Sequence, residues 1–203
     1  YLGKKSNEEL LKLFAYIIED NPFLYESAIE FLVNKLYGSD ETFVKLLCSL
    51  IEKTASDLAS RKLISPIKEI AFNNPEKTVE ITKRILDLRI GGGICSGIIL
   101  SPLLDKGIGD DEIISHLKSD DSFLQKHSLV AINEFLITNS NTEYAKFLIE
   151  NLIKAVKNIH QENTNILIQC LINAFLINRE SVLPVLEKEI EHRGYPAAIV
   201  YAK

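Results

Sequence analysis

The sequence predicts an all-α protein, a right-handed α-solenoid of about six antiparallel helical hairpins, and three observations carry that expectation. The periodic apolar stretches of the 203-residue chain repeat at helical spacing. One helical segment is written twice: Val130 to Ile137 reads VAINEFLI and Cys170 to Ile177 reads CLINAFLI. Laid forty positions apart, the two match at Ile132/Ile172, Asn133/Asn173, Phe135/Phe175, Leu136/Leu176 and Ile137/Ile177. Hairpin starts estimated at residues 6, 40, 75, 110, 142 and 181 recur every 35 residues or so, inside the range in which stacked helical units bury one another's apolar sides. The expectation is a single domain, 1–203, with a soft hinge at 91–109.

Each element has a local reason. Ser6-Asn-Glu-Glu9 is a capping box that opens a helix to about Asp20. Asn21-Pro22 supplies a cap and a first-turn proline for a helix to Gly38, buried through Phe23, Leu24, Ala28, Phe31, Leu32 and Leu36. Ser39 or Asp40 caps a helix carrying Phe43, Leu46, Leu47, Leu50 and Ile51, and a companion follows over about 56–72 with a break near Ser65-Pro66. Asn74-Pro75 repeats the cap and proline, and Ile81, Ile85 and Leu88 carry that helix to Arg89.

Six of the nine glycines lie between Gly91 and Gly109, so only a short helix fits around Ile94 to Leu104. Asp110 opens another short helix to about Leu117, and Asp120 or Asp121 caps a longer one ending at Ile137. Thr142 to Ile159 is amphipathic, with Tyr144, Leu148, Leu152, Ala155, Val156 and Ile159 opposite Lys146, Glu150, Lys154 and Lys157. Thr164 to Asn178 is apolar nearly all round, with Asn165, Gln169 and Asn173 as its polar stripe, as a helix between two neighbours should be. Ser181 to Arg193 stops at Gly194, and Pro196 opens a further helix.

The formal charge of -5 argues against a general binder of nucleic acid or anionic membranes. Cys48, Cys95 and Cys170 are odd in number and far apart, which favours free thiols in a reducing, cytoplasmic setting. Lys4-Lys5 is followed by Glu8 and Glu9 where a signal peptide needs apolar residues. The uncharged run Ile90 to Leu104 is too short and glycine-broken to cross a bilayer. A start at Tyr1, the absence of methionine and an uncapped last helix suggest a piece of a longer chain.

The paired helices, the Asp-initiated segment Asp120-Asp-Ser-Phe-Leu-Gln-Lys-His-Ser-Leu-Val-Ala and the recurring apolar core resemble HEAT and armadillo-type repeats over most of the chain. The tetratricopeptide pattern is not met, since the chain has no Trp and its tyrosines fall elsewhere. The resemblance implies a non-enzymatic scaffold that holds a protein or an extended peptide on its concave face. In armadillo proteins an inner-helix asparagine bonds the backbone of a bound peptide, because a side-chain amide both donates and accepts. By that resemblance Asn133 and Asn173 are candidate partner-binding residues, flanked by Gln169 and Lys126.

The competing reading is a nucleic-acid-binding module, similar in architecture to HEAT-like DNA glycosylases. Its surface would be the basic segment 61–89, with Arg61, Lys62, Lys68, Lys83, Arg84 and Arg89. Those glycosylases cradle the base with aromatic residues that include tryptophan, which this chain lacks.

The remaining motifs read as structure. Gly91 to Gly93 before a helix lacks the Lys-Ser/Thr of a phosphate loop and the strand and third glycine of a dinucleotide site, so a hinge or close-packing loop is expected. Cys95 has no histidine or second cysteine near it in sequence, and a quiet thiol is expected. Asp110-Asp-Glu112 and Asp120-Asp121 sit where carboxylates cap helix amides. Among His116, His127, His160 and His192 no pair stands four apart. Glu112, His116 and Asp120 do, but across a helix end, so no metal, cofactor or catalytic residue is expected.

Overall fold

The computed structural model describes residues 73–89, 93–138 and 142–193, with the isolated positions Glu9, Tyr16, Val44, Cys48 and Ala71. The helices expected over 6–20, 22–38, 40–51 and 56–72, the one opening at Pro196, and Arg61, Lys62, Lys68, Gly91 and Gly92 lie outside the described residues. Among those described the fold is all-α. The helices are α1 (Pro75–Leu88), α2 (Ile94–Leu100), α3 (Asp110–Leu117), α4 (Ser122–Thr138), α5 (Thr142–Ala155), α6 (Thr164–Ile177) and α7 (Arg179–Arg193). Turns of 3-10 helix fill Ser101–Lys106, Val156–Asn158 and Gln161–Asn163. The chain divides into two compact units, Tyr1–Pro102 and Leu103–Lys203, and the division falls inside the glycine-rich stretch.

In the first unit α1 starts at Pro75 as expected, but the Asn74 side chain makes no cap bond. Thr78 donates to the Asn74 carbonyl through both its amide, at 3.1 Å, and its hydroxyl, at 3.0 Å. Thr78 and Thr82 can lie on the buried side beside Ile81 and Ile85 because their hydroxyls bond back one turn, Thr82 Oγ1 to the Thr78 carbonyl at 2.9 Å. Gly93, at φ 83°, starts α2, and residues 95–100 are all buried. The helix expected to reach Leu104 tightens after Leu100 because Pro102 has no N–H for the Ile98 carbonyl. The Ser101 hydroxyl, 3.2 Å from that oxygen, donates in its place.

In the second unit Gly109, at φ 90°, turns the chain into α3, and Ile113 N donates to its carbonyl at 2.9 Å. The four residues 118–121 then return the chain along α4. Asp121, not Asp120, caps α4, its Oδ1 accepting from Phe123 N at 2.9 Å. Asp110 is no cap: its carboxylate accepts from the Tyr144 hydroxyl of α5. The Tyr144 ring stands edge-on to Phe135 of α4 at 5.2 Å.

α5 buries Ala145, Leu148, Ile149, Leu152 and Ala155 and exposes Lys146, Glu150 and Lys154. It passes into a 3-10 turn at Val156 instead of running to Ile159. α7 begins two residues before the expected Ser181, because Asn178 Oδ1 accepts from Ser181 N at 3.4 Å and makes Asn178 the cap. Pro184 therefore falls inside the helix, on an exposed position where the carbonyl deprived of its donor can bond water.

The centre of this unit is the pair α4 and α6, the two copies of the duplicated segment. They run parallel and in register. Asn163 Nδ2 donates to the Ser122 carbonyl at 2.8 Å, Cys170 Sγ to the Leu129 carbonyl at 3.0 Å, and Asn173 Nδ2 to Asn133 Oδ1 at 2.8 Å. These offsets of 41, 41 and 40 residues can stay constant along two helices only if both point the same way. Gln125, fully buried, clips the turns at their N-terminal ends. Its Nε2 donates to the carbonyls of Ser119 at 2.7 Å and Asn158 at 2.8 Å, and its Oε1 accepts from His160 N at 2.9 Å.

Candidate functional site

On α4 the positions Lys126, Val130, Asn133 and Ile137 follow at steps of four, three and four, which puts them on one stripe. On α6 the positions Ile166, Gln169, Asn173 and Leu176 follow at steps of three, four and three and share a stripe of their own. Lys126 and Asn133 therefore share a stripe of α4, and Gln169 and Asn173 a stripe of α6. Asn133 and Asn173 are in direct contact, with Asn133 buried and Asn173 partly exposed. Lys126 lies two turns, about 10 Å, before Asn133 along the axis. Among the described residues neither Lys126 nor Gln169 hydrogen-bonds the asparagine pair.

The two amides are thus not independent rungs, since one donor and one acceptor are spent on each other. Asn133 Nδ2 and Asn173 Oδ1 remain for a third group, so the pair offers together the donor and acceptor that each was expected to offer alone. Exposed apolar side chains stand a turn away on each helix. Leu176 is 75% exposed and Ile137 39% exposed, and Phe175 lies under the Arg179 guanidinium at 5.4 Å. The exposed leucine was not singled out from the sequence, because a helix apolar on every side gives no signal as to which side meets solvent.

The basic segment fares differently. Of its candidates Lys83 and Arg89 are exposed and Arg84 is half-buried, with a guanidinium Nε shielded from solvent. The exposed stripe of α1 reads Glu76, Glu80, Lys83 and Asp87, so acids outnumber bases on its solvent side. Arg89 holds the helix end at φ 51°, a left-handed conformation, with its amide on the carbonyls of Ile85 and Leu86.

The thiols are shielded from solvent. Cys48, Cys95 and Cys170 are buried and form no disulfide among the described residues, and Cys95 Sγ donates to the Cys48 carbonyl at 3.4 Å. Burial, helped by the Glu134 charge, pushes the Cys170 thiol far up. α2 buries Cys95 and Ser96 completely.

The titratable groups that do converge were only half anticipated. Glu112 and His116 stand one turn apart on α3, and the third member is His127 of α4, not Asp120. Asp120 instead offers its carbonyl to His160 Nε2 at 2.8 Å. Sequence spacing could not find His127, because the link 118–121 reverses the chain between the two histidines. One atom from each of Glu112, His116 and His127 lies within 4.8 Å of the others. The imidazoles meet edge to face, 5.6 Å between centroids. His127 is fully buried, and burial first, then the neighbouring His116, holds its pKa down at about 3. Burial also lowers that of His116, opposed by the Glu112 and Asp121 carboxylates.

No helix among the described residues is long and apolar enough to cross a membrane. Compared with protein-family models, curated proteins and solved structures, the chain matches none.

Proposed function

We propose that the chain is a non-enzymatic helical-repeat scaffold, an α-solenoid of HEAT or armadillo type, that holds a protein partner on the surface of α4 and α6. The observation that carries this reading is the juxtaposition of Leu176, 75% exposed, with the Asn133–Asn173 pair one turn away on the same stripe. An apolar anchor next to an amide donor and acceptor suits an extended or helical peptide, which needs a pocket contact and a backbone hydrogen bond. Repetition supports the solenoid. In the first unit Cys95 Sγ donates to the Cys48 carbonyl and in the second Cys170 Sγ donates to the Leu129 carbonyl, so a thiol-to-carbonyl bond recurs at separations of 47 and 41 residues.

The test is capture of partners from lysate at low and moderate salt, with and without nuclease, by the wild-type chain and by Leu176→Asp and Asn133→Ala/Asn173→Ala variants. A scaffold retains a protein through salt and nuclease and loses it in both variants. Retention by both variants would rule out this surface. Recovery of nucleic acid that salt strips away would move the site to Arg61, Lys62, Lys68, Lys83, Arg84 and Arg89, the alternative reading.

A further inference from the structure

We propose that Glu112, His116 and His127 form a binding site for one divalent transition-metal ion of the zinc class, a function separate from the partner surface on α4 and α6. Two imidazoles and one carboxylate are a donor set suited to zinc, and three protein ligands leave a fourth position for water or a further ligand. The chain builds the set economically. Glu112 and His116 are one turn apart on α3 and project from the same side. His127 comes from the first turns of α4, and the four-residue link 118–121 lays these two helix segments against each other.

The geometry is that of an open site. Ligand atoms in a tetrahedral shell with bonds of about 2.0 Å stand roughly 3.3 Å apart, and here they lie within 4.8 Å of one another. Glu112 and His116 are only partly buried, so rotation of their side chains can close that difference onto a fixed, fully buried His127.

A second observation points to a ligand. His116 Nδ1 is shielded from solvent and has no hydrogen-bond partner among the described residues, a costly state for a ring nitrogen unless something else engages it. The charges agree as well. The Glu112 and Asp121 carboxylates both act on His116. A pair of histidines packed edge to face merely to fill the core would leave the nitrogen orphaned.

The test uses the untagged full chain, stripped with a chelator and titrated with Zn2+, beside His116→Ala and Glu112→Gln, both at partly exposed positions where folding should survive. The expected result is one ion per chain, a rise in Tm on saturation, and affinity lowered at least about tenfold in each variant. Co2+ should give the strong visible absorption of a four-coordinate site, and this should vanish in His116→Ala. Absence of stoichiometric binding, or binding undiminished in either variant, overturns the proposal.

Discussion

Asn173 Nδ2 donates to Asn133 Oδ1 at 2.8 Å, joining the same position of two sequence repeats across 40 residues. Because both helices point the same way, equivalent residues meet, and a duplicated amide becomes a bridge. The bond lies at the edge of the core, where Asn133 is buried, so each partner's loss leaves the other short of a bond. We expect Asn133→Ala and Asn173→Ala each to cost about 1–2 kcal/mol, with a coupling of about 1 kcal/mol in a double-mutant cycle. Strictly additive denaturation energies would show that the two amides act independently.

Gln125 should matter more than its neutrality suggests. It is fully buried and serves three backbone groups, the carbonyls of Ser119 and Asn158 and the amide of His160. Gln125→Met keeps its volume and removes every bond, so the three backbone groups lose their partner. A loss of about 2–4 kcal/mol is expected by urea unfolding, and a change below about 1 kcal/mol would mean that water replaces the amide.

The buried histidine gives the chain an acid limit. His127 titrates near 3 in the folded state against 6.5 ordinarily, so between those values the unfolded chain binds the extra proton. Stability from this group is complete above pH 6.5 and falls as the pH drops toward 3, by up to about 1.4 kcal/mol per pH unit. Lowered His116 adds in the same direction, with Glu112 and Asp121 opposing. Measured with chelator present, His127→Phe should flatten the decline of Tm with acid; an unchanged slope would assign it to other groups.

Arg89 pays a backbone penalty at the end of α1. Its φ of 51° is a conformation that favours glycine, so Arg89→Gly should raise stability by up to about 1 kcal/mol. A lower Tm would show that the arginine side chain contributes more than the strain removes.

Much of the helical layout of the described stretches follows from local rules that act within a turn or two. Pro75 at a first turn, Gly109 ahead of α3, Asp121 before α4 and the spacing of Leu148, Leu152 and Ala155 each act on neighbours along the chain. The duplication at 130–137 and 170–177 was equally plain, being a matter of identity at fixed offset. Where local rules compete, the boundaries moved: Pro102 tightened the end of α2, and Asn178 took the cap expected two residues later.

The chemistry belongs to the tertiary structure. That Asn173 reaches Asn133, that Tyr144 takes the Asp110 carboxylate from a capping role, and that His127 meets His116 all depend on which helix lies beside which. Helical periodicity fixes the angle at which a side chain leaves its own axis and says nothing about the neighbour it then encounters. It marked the apolar faces of the helices, but only the packing of α4 against α3 and α6 decided that one histidine is dry, one leucine is wet and two asparagines share a bond.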